Sequence, residues 1–156
     1  MREIRKILCP VDFSSSSEAM VNDTVGLAAQ LGAEVTLLHV YEMPLYQVPV
    51  GVDSSAGLPG GLMDVVQGVK EAVTERLEKV RAGCEGKNVT LHTRIAEGRP
   101  AKTIVAIAGD ESFDLISMGT RGWTGLRHLL LGSVAEHVVR ASPCPVLTFP
   151  TPDDES

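Results

Sequence analysis

Residues 4–40, IRKILCPVDFSSSSEAMVNDTVGLAAQLGAEVTLLHV, decide the fold. The run from Ile4 to Val11 is aliphatic enough for a strand, and its Ile-Leu-Cys centre reads as a position buried on both faces. From Ser15 to Leu31 the apolar residues Val21, Val25 and Ala28 share one face of a helix, and Gly32 suits the left-handed position that ends it. Glu34 to Val40 returns to strand character. Strand, helix and strand in this order form a right-handed crossover between parallel strands. The serines that open the helix place Ser15 three residues before Glu18, the spacing of a capping box.

The same alternation continues to the end of the chain. Leu62, Val65, Val66, Val69, Val73, Leu77 and Val80 paint one stripe, which predicts a second helix packed on a sheet. Val89 to Ile95 alternates apolar and polar residues, as an edge strand does. A third helix starts at Pro100, a residue tolerated at the first helical position, and ends near Gly109. Phe113 to Met118 and Pro145 to Phe149 supply two more strands, the last marked as an edge by Pro143 and Pro145. The expected fold is α/β: one domain over residues 1–150 with an open, parallel, five-stranded sheet in the order 3-2-1-4-5 and helices on both faces. Tyr41 to Gly61, with three prolines and four glycines, is a long insertion. Two readings stand for it, a surface loop or a flap over a site at the end of the second strand. The acidic tail, 151–156, is expected to fray.

Composition narrows the function. The chain has 156 residues, 44% of them hydrophobic and 22% charged, enough for one well-formed core. Its net charge of −6 and scattered lysines and arginines argue against a duplex nucleic-acid face. No apolar run reaches the roughly 18 residues of a membrane span, and the start of the chain lacks a signal-peptide pattern, so a cytoplasmic location and no membrane partner are expected. Cys9, Cys84 and Cys144 have neither disulfide-framework nor zinc spacing.

In such a sheet, ligands bind beyond the carboxyl ends of the strands where strand order reverses, here between the first and fourth strands. The first ends in Pro10-Val11-Asp12. Asp12 has two readings, a hydrogen-bond acceptor for a ligand or an Asx turn that starts the helix. The fourth ends in Met118-Gly119 and runs into a loop with glycines at 119, 122 and 125 before Gly132-Ser133. Glycines there permit positive φ and close backbone approach. Ser133, with Glu136 three residues on, reads as the cap of a fourth helix, whose free N–H groups and dipole make an anion site suited to phosphate. Arg121, Arg127 or His128 can add positive charge. The spacing fits neither a Walker A loop nor GxGxxG. Without a ligand, the same stretch reads as a glycine-rich turn whose leucines plug the core.

Pro10-Val11-Asp12, His39-Val40 and Gly119-x-x-Gly122 followed after nine residues by Gly132-Ser133 strongly resemble the universal stress protein family, in its ATP-binding branch, over nearly the whole chain. The resemblance implies a Rossmann-like fold related to the adenine nucleotide α-hydrolases. It places Asp12 and Val40 against adenine and ribose, with Pro10, Val11 and Met118 beside them. Gly119, Arg121 and Gly122 would approach the triphosphate, and Gly132, Ser133 and Val134 would hold phosphates through N–H groups and the Ser133 hydroxyl. Gly98-Arg99-Pro100 also resembles the family's turn into the third helix, where packing is the expected role. The ligand implied is ATP, with Mg²⁺ bridging its phosphates, and the partners implied are a second copy through strand 145–149 and a further protein. The implied function is a stress-response sensor or regulator with at most slow ATP hydrolysis, since no residue reads as a base for the γ-phosphate and Glu136 is taken as a cap. An adenylating enzyme would need a Ser-Gly-Gly-x-Asp-Ser loop where this chain has Asp12 to Ser17; a phospho-receiver would need further clustered acids. A dimeric interaction protein without nucleotide is the remaining alternative.

Overall fold

A computed structural model describes residues 3–43, 61–120 and 131–150. The chain alternates β1 (Lys6–Pro10), α1 (Ser15–Leu31), β2 (Glu34–Tyr41), α2 (Gly61–Ala82), β3 (Leu91–Glu97), α3 (Pro100–Asp110), β4 (Leu115–Gly119), α4 (Ser133–Ala141) and β5 (Val146–Phe149). The strands form one parallel sheet in the order β3-β2-β1-β4-β5. This is the order expected from the sequence, with β1 central and β3 and β5 at the edges.

Strand periodicity sorts the core into two layers. Ile7 and Cys9 of β1, Val35 and Leu37 of β2 and Leu115 of β4 pack with Val21, Val25 and Ala28 of α1 and Leu77 of α2. Leu8, Leu38, Ile116 and Met118 face the other way, onto Ile104, Ile107 and Ala108 of α3 and Ala135 and Val138 of α4. Burying each such aliphatic side chain contributes about 1.5–3 kcal/mol. Within the first layer a buried polar pair, Thr24 and Ser117 at 2.7 Å, is satisfied across α1 and β4, with Thr24 also donating to Met20 O. At the amino edge of the sheet Asp114 fixes register: its carboxylate accepts from the N–H groups of Arg5 and Lys6, both at 3.0 Å.

Three local expectations are corrected. Ser14, not Ser15, is the N-cap of α1, and its side chain accepts from Ser17 N–H. Gly132, not Ser133, is the N-cap of α4, which has no side-chain cap bond, and Glu136 pairs with Arg140 at 3.0 Å instead of reaching back. Among the described side chains of the α2 stripe, burial is fullest towards the carboxyl end: Leu77 is fully buried, while Val65 and Val69 are 40% and 36% exposed. Twenty-two residues of helix span about 33 Å, against about 26 Å for the eight residues of β2, so the first turns have less sheet beneath them. Gly32 ends α1 as expected, at φ 65° with its N–H bonded to Ala28 O.

Candidate functional site

Strand order reverses at β1, which pairs β2 on one side and β4 on the other. The crossovers on its two sides therefore lie on opposite faces of the sheet, α1 and α2 on one and α3 and α4 on the other, and the chain parts above the carboxyl ends of β1 and β4. A cavity of about 250 Å³ occupies that position. Its walls come from the β1 end and α1 start, the β2 end, α3, the β4 end and the first turn of α4.

The floor is apolar: Met20, Leu38, Ile104 and Met118 are buried and line it. The rim is polar, with Asp12, Ser14, Ser16, His39, Thr120 and Ser133. Such a cleft suits a ligand with a flat apolar part and a hydrogen-bonding part. Asp12 realises the Asx turn: its Oδ1 accepts from Ser14 N at 3.0 Å and Ser14 Oγ at 2.6 Å. Its Oδ2 has no partner among the described residues, so the turn leaves one carboxylate oxygen free for a ligand. Ser17 Oγ accepts from Asp12 N–H at 3.4 Å, which ties the turn to the first coil of α1.

His39 stands opposite. Its Nδ1 lies 2.7 Å from Val11 O, and because a carbonyl only accepts, Nδ1 carries the proton in that bond. Beneath the site, Cys9 Sγ is 3.6 Å from Met20 Sδ and fully enclosed, and burial pushes its thiol up to about 12. At neutral pH it is a packing group and not a nucleophile.

The first turn of α4 supplies the electrostatics. Its first intrahelical bond runs from Glu136 N–H to Gly132 O at 2.8 Å, so the N–H groups of Ser133, Val134 and Ala135 have no acceptor within the helix. All three residues line the cavity, at the positive end of the helix dipole. No Lys or Arg lies among the described lining residues. Among the described residues, these N–H groups are the donors this end of the cavity offers an anion.

Every expected site residue that is described lines this one cavity: Pro10, Val11, Asp12, Val40, Met118, Gly119, Gly132, Ser133 and Val134. Arg121 and Gly122 lie outside the described residues, as do Arg127, His128, most of the 41–61 insertion and the tail. Three details differ from expectation. Gly132 N–H donates to Thr120 O, closing the β4–α4 connection, and so is not a free donor. Gly119 continues β4 outside the left-handed region, and Gly132 sits at φ −68°, ψ 158°, so neither uses the positive φ that glycine permits. Pro100 lines the cavity as well as opening α3.

Sequence reasoning missed Ser14, Ser16, His39, Ile104 and Thr120 as lining residues. His39 was open to detection, since it stands beside Val40 at the carboxyl end of a strand flanking the reversal. Ile104 was not, since one apolar helix residue resembles another.

Residues 3–150 match the sequence profile of the universal stress protein family. The chain belongs to that family. A universal stress protein of Methanocaldococcus jannaschii is 38% identical over 153 residues, which cover 97% of this chain and 85% of the relative. Universal stress protein UspA of Lactobacillus plantarum superposes with a TM-score of 0.72 at 27% identity, covering 96% of this chain and 99% of its own. Two further structures, each 20% identical, share the fold: a universal stress protein in complex with cAMP, TM-score 0.70, covering 97% of this chain and 100% of its own, and an Arabidopsis thaliana member with AMP bound, TM-score 0.67, covering 97% and 94%. Among the described residues of this universal stress protein no helix is long and apolar enough to cross a membrane, and no cluster of His, Cys, Asp and Glu has the makings of a metal site.

Proposed function

We propose that this universal stress protein binds ATP in the cleft above β1 and β4 and acts in the cytoplasm as a stress-response sensor or regulator. The observation that carries the reading is convergence. Segments far apart in sequence, Pro10 to Asp12, Val40, Met118 to Gly119 and Gly132 to Val134, meet on one cavity with an apolar floor and a helix amino terminus at its edge. Adenine matches the apolar wall by Val11 and Val40, ribose hydroxyls match the free Oδ2 of Asp12, and phosphate oxygens match the N–H groups that open α4. The AMP and cAMP named for two proteins of the same fold belong to the ligand class this reading expects.

Mg²⁺, when bound, would neutralise phosphate charge. Asp12 is the one acid among the described lining residues and half of its carboxylate is committed to Ser14, so of these side chains only its other oxygen would be at hand for the ion. Among the described lining residues no carboxylate other than Asp12 is at hand to act as a base for an attacking water, which supports slow hydrolysis at most. The edge strand β5 is half-buried throughout, and its outer ladder groups suit pairing with a second copy across a two-fold axis, against the reading that Pro143 and Pro145 stand there to block such pairing.

The test is to denature freshly purified protein, identify released nucleotides against ATP, ADP and AMP standards, and titrate the stripped protein with ATP. About one ATP per chain is expected. No binding at millimolar ATP with Mg²⁺ would leave a dimeric α/β interaction protein instead.

A further inference from the structure

A stacked pair of rings separates the nucleotide cleft from a second cavity of about 230 Å³ between α1 and α2. His39 lines the first cavity and Phe13 the second. Their ring centroids are 4.3 Å apart with planes 29° from parallel. On the far side of Phe13, the Arg76 guanidinium of α2 lies 4.4 Å from the ring centroid. Arg76 makes no ion pair among the described residues, so the ring is its partner. The row from α2 to the cleft is thus Arg76, Phe13, His39.

Phe13 also stands at φ 64°, in the left-handed region. A bulky residue there is strained, and such a conformation persists only where its surroundings over-determine it. Here the over-determination comes from the His39 stack on one face and the Arg76 cation on the other. The strained residue joins Asp12 to Ser14, and its backbone angle sets the Asx turn that aims the Asp12 carboxylate. The stack also fixes the plane of His39, whose Nδ1–H is already committed to Val11 O, which leaves Nε2 as the ring's acceptor.

We propose that Phe13 and Arg76 are positioning residues for the nucleotide cleft, acting through His39 and Asp12, and that through them α2 is tied to occupancy of the cleft. The proposal rests on the adenine-nucleotide reading. A ligand packed against His39 restrains one side of the stack, and Arg76 carries that restraint to a helix whose first turns are only lightly packed. Arg76 is exposed, so its replacement is expected to leave the fold intact.

The experiment compares amide hydrogen exchange over residues 73–82 in free and ATP-saturated protein, for the unaltered chain and for Arg76→Met, Phe13→Leu and Phe13→Tyr. ATP is expected to slow exchange there in the unaltered chain and in Phe13→Tyr, and to leave it unchanged in Arg76→Met and Phe13→Leu. Arg76→Met is expected to weaken ATP binding roughly two- to fivefold, the factor a cation–π contact carries. Exchange in α2 that ignores bound ATP in the unaltered chain, or slows equally in Arg76→Met, would overturn the proposal alone. Loss of ATP binding beyond roughly a hundredfold in Arg76→Met would mark a direct ligand contact and overturn the positioning role. Failure of the unaltered chain to bind ATP would bring down the nucleotide reading and this proposal with it.

Discussion

Replacing Ser133 with proline removes one N–H that the proposed function assigns to phosphate while leaving α4 standing. Ser133 is the first residue of α4, and its N–H has no acceptor within the helix. Proline is welcome at that position, because its φ near −65° is already helical and its missing N–H was unbonded. The residue before a proline must be extended, and Gly132 is, at φ −68° and ψ 158°. The Ser133 hydroxyl makes no cap bond, so its loss leaves the helix unchanged. A hydrogen bond from N–H to a charged phosphate contributes about 1.5–3 kcal/mol, which corresponds to roughly 10- to 150-fold in affinity. Ser133→Ala isolates the hydroxyl, expected at about 0.5–1.5 kcal/mol. Calorimetric titration with ATP and Mg²⁺, beside thermal melts of the nucleotide-free proteins, reads both quantities. A Ser133→Pro protein that melts like the original and binds ATP equally well would refute the placement of phosphate on α4.

Other consequences concern stability. Asp114→Ala removes a carboxylate that holds two backbone N–H groups at the edge of the sheet away from the cleft; a loss of about 2–4 kcal/mol is expected by urea unfolding, with ATP affinity unchanged. Gly98 has φ 144°, and a Cβ there would stand 2.5 Å from Thr103 Oγ1, so Gly98→Ala is expected to destabilise by about 1–3 kcal/mol in the same assay. Cys9 has its thiol pushed up by burial, from 9.0 to about 12. Between those values the unfolded chain binds fewer protons than the folded one, so this group's stabilisation, complete below pH 9, falls by about 1.4 kcal/mol per pH unit as pH rises. Alkaline unfolding curves of Cys9→Ala are expected to lack that component.

The sequence made the order of elements legible because its strongest signals are long-range in effect. The unbroken apolar character of Ile7 to Cys9 requires cover on both faces, and the alternation of Val89 to Ile95 requires one face in water, which places β1 at the centre and β3 at the edge. Caps were less legible. Four consecutive serines offer α1 equivalent starts, and the choice of Ser14 is settled by the Asp12 turn, one of the two readings that the sequence left open for that residue. At α4 the Ser133 to Glu136 spacing matched a capping box, but Arg140 one turn later claims the carboxylate. The cleft residues were legible where glycine, proline or aspartate marks a turn. Phe13 was not read, because an aromatic at positive φ leaves no pattern in sequence; its role, and that of His39 beside it, follows from the two rings facing each other in space.

The most direct test of a nucleotide cleft above β1 and β4 is a crystal structure of the protein grown with ATP and Mg²⁺. The account predicts the base between Val11 and Val40, the ribose within hydrogen-bond reach of Asp12 Oδ2, and phosphate oxygens on the N–H groups of Ser133 and Val134. A nucleotide bound elsewhere, or one with its phosphates turned away from α4, would contradict it.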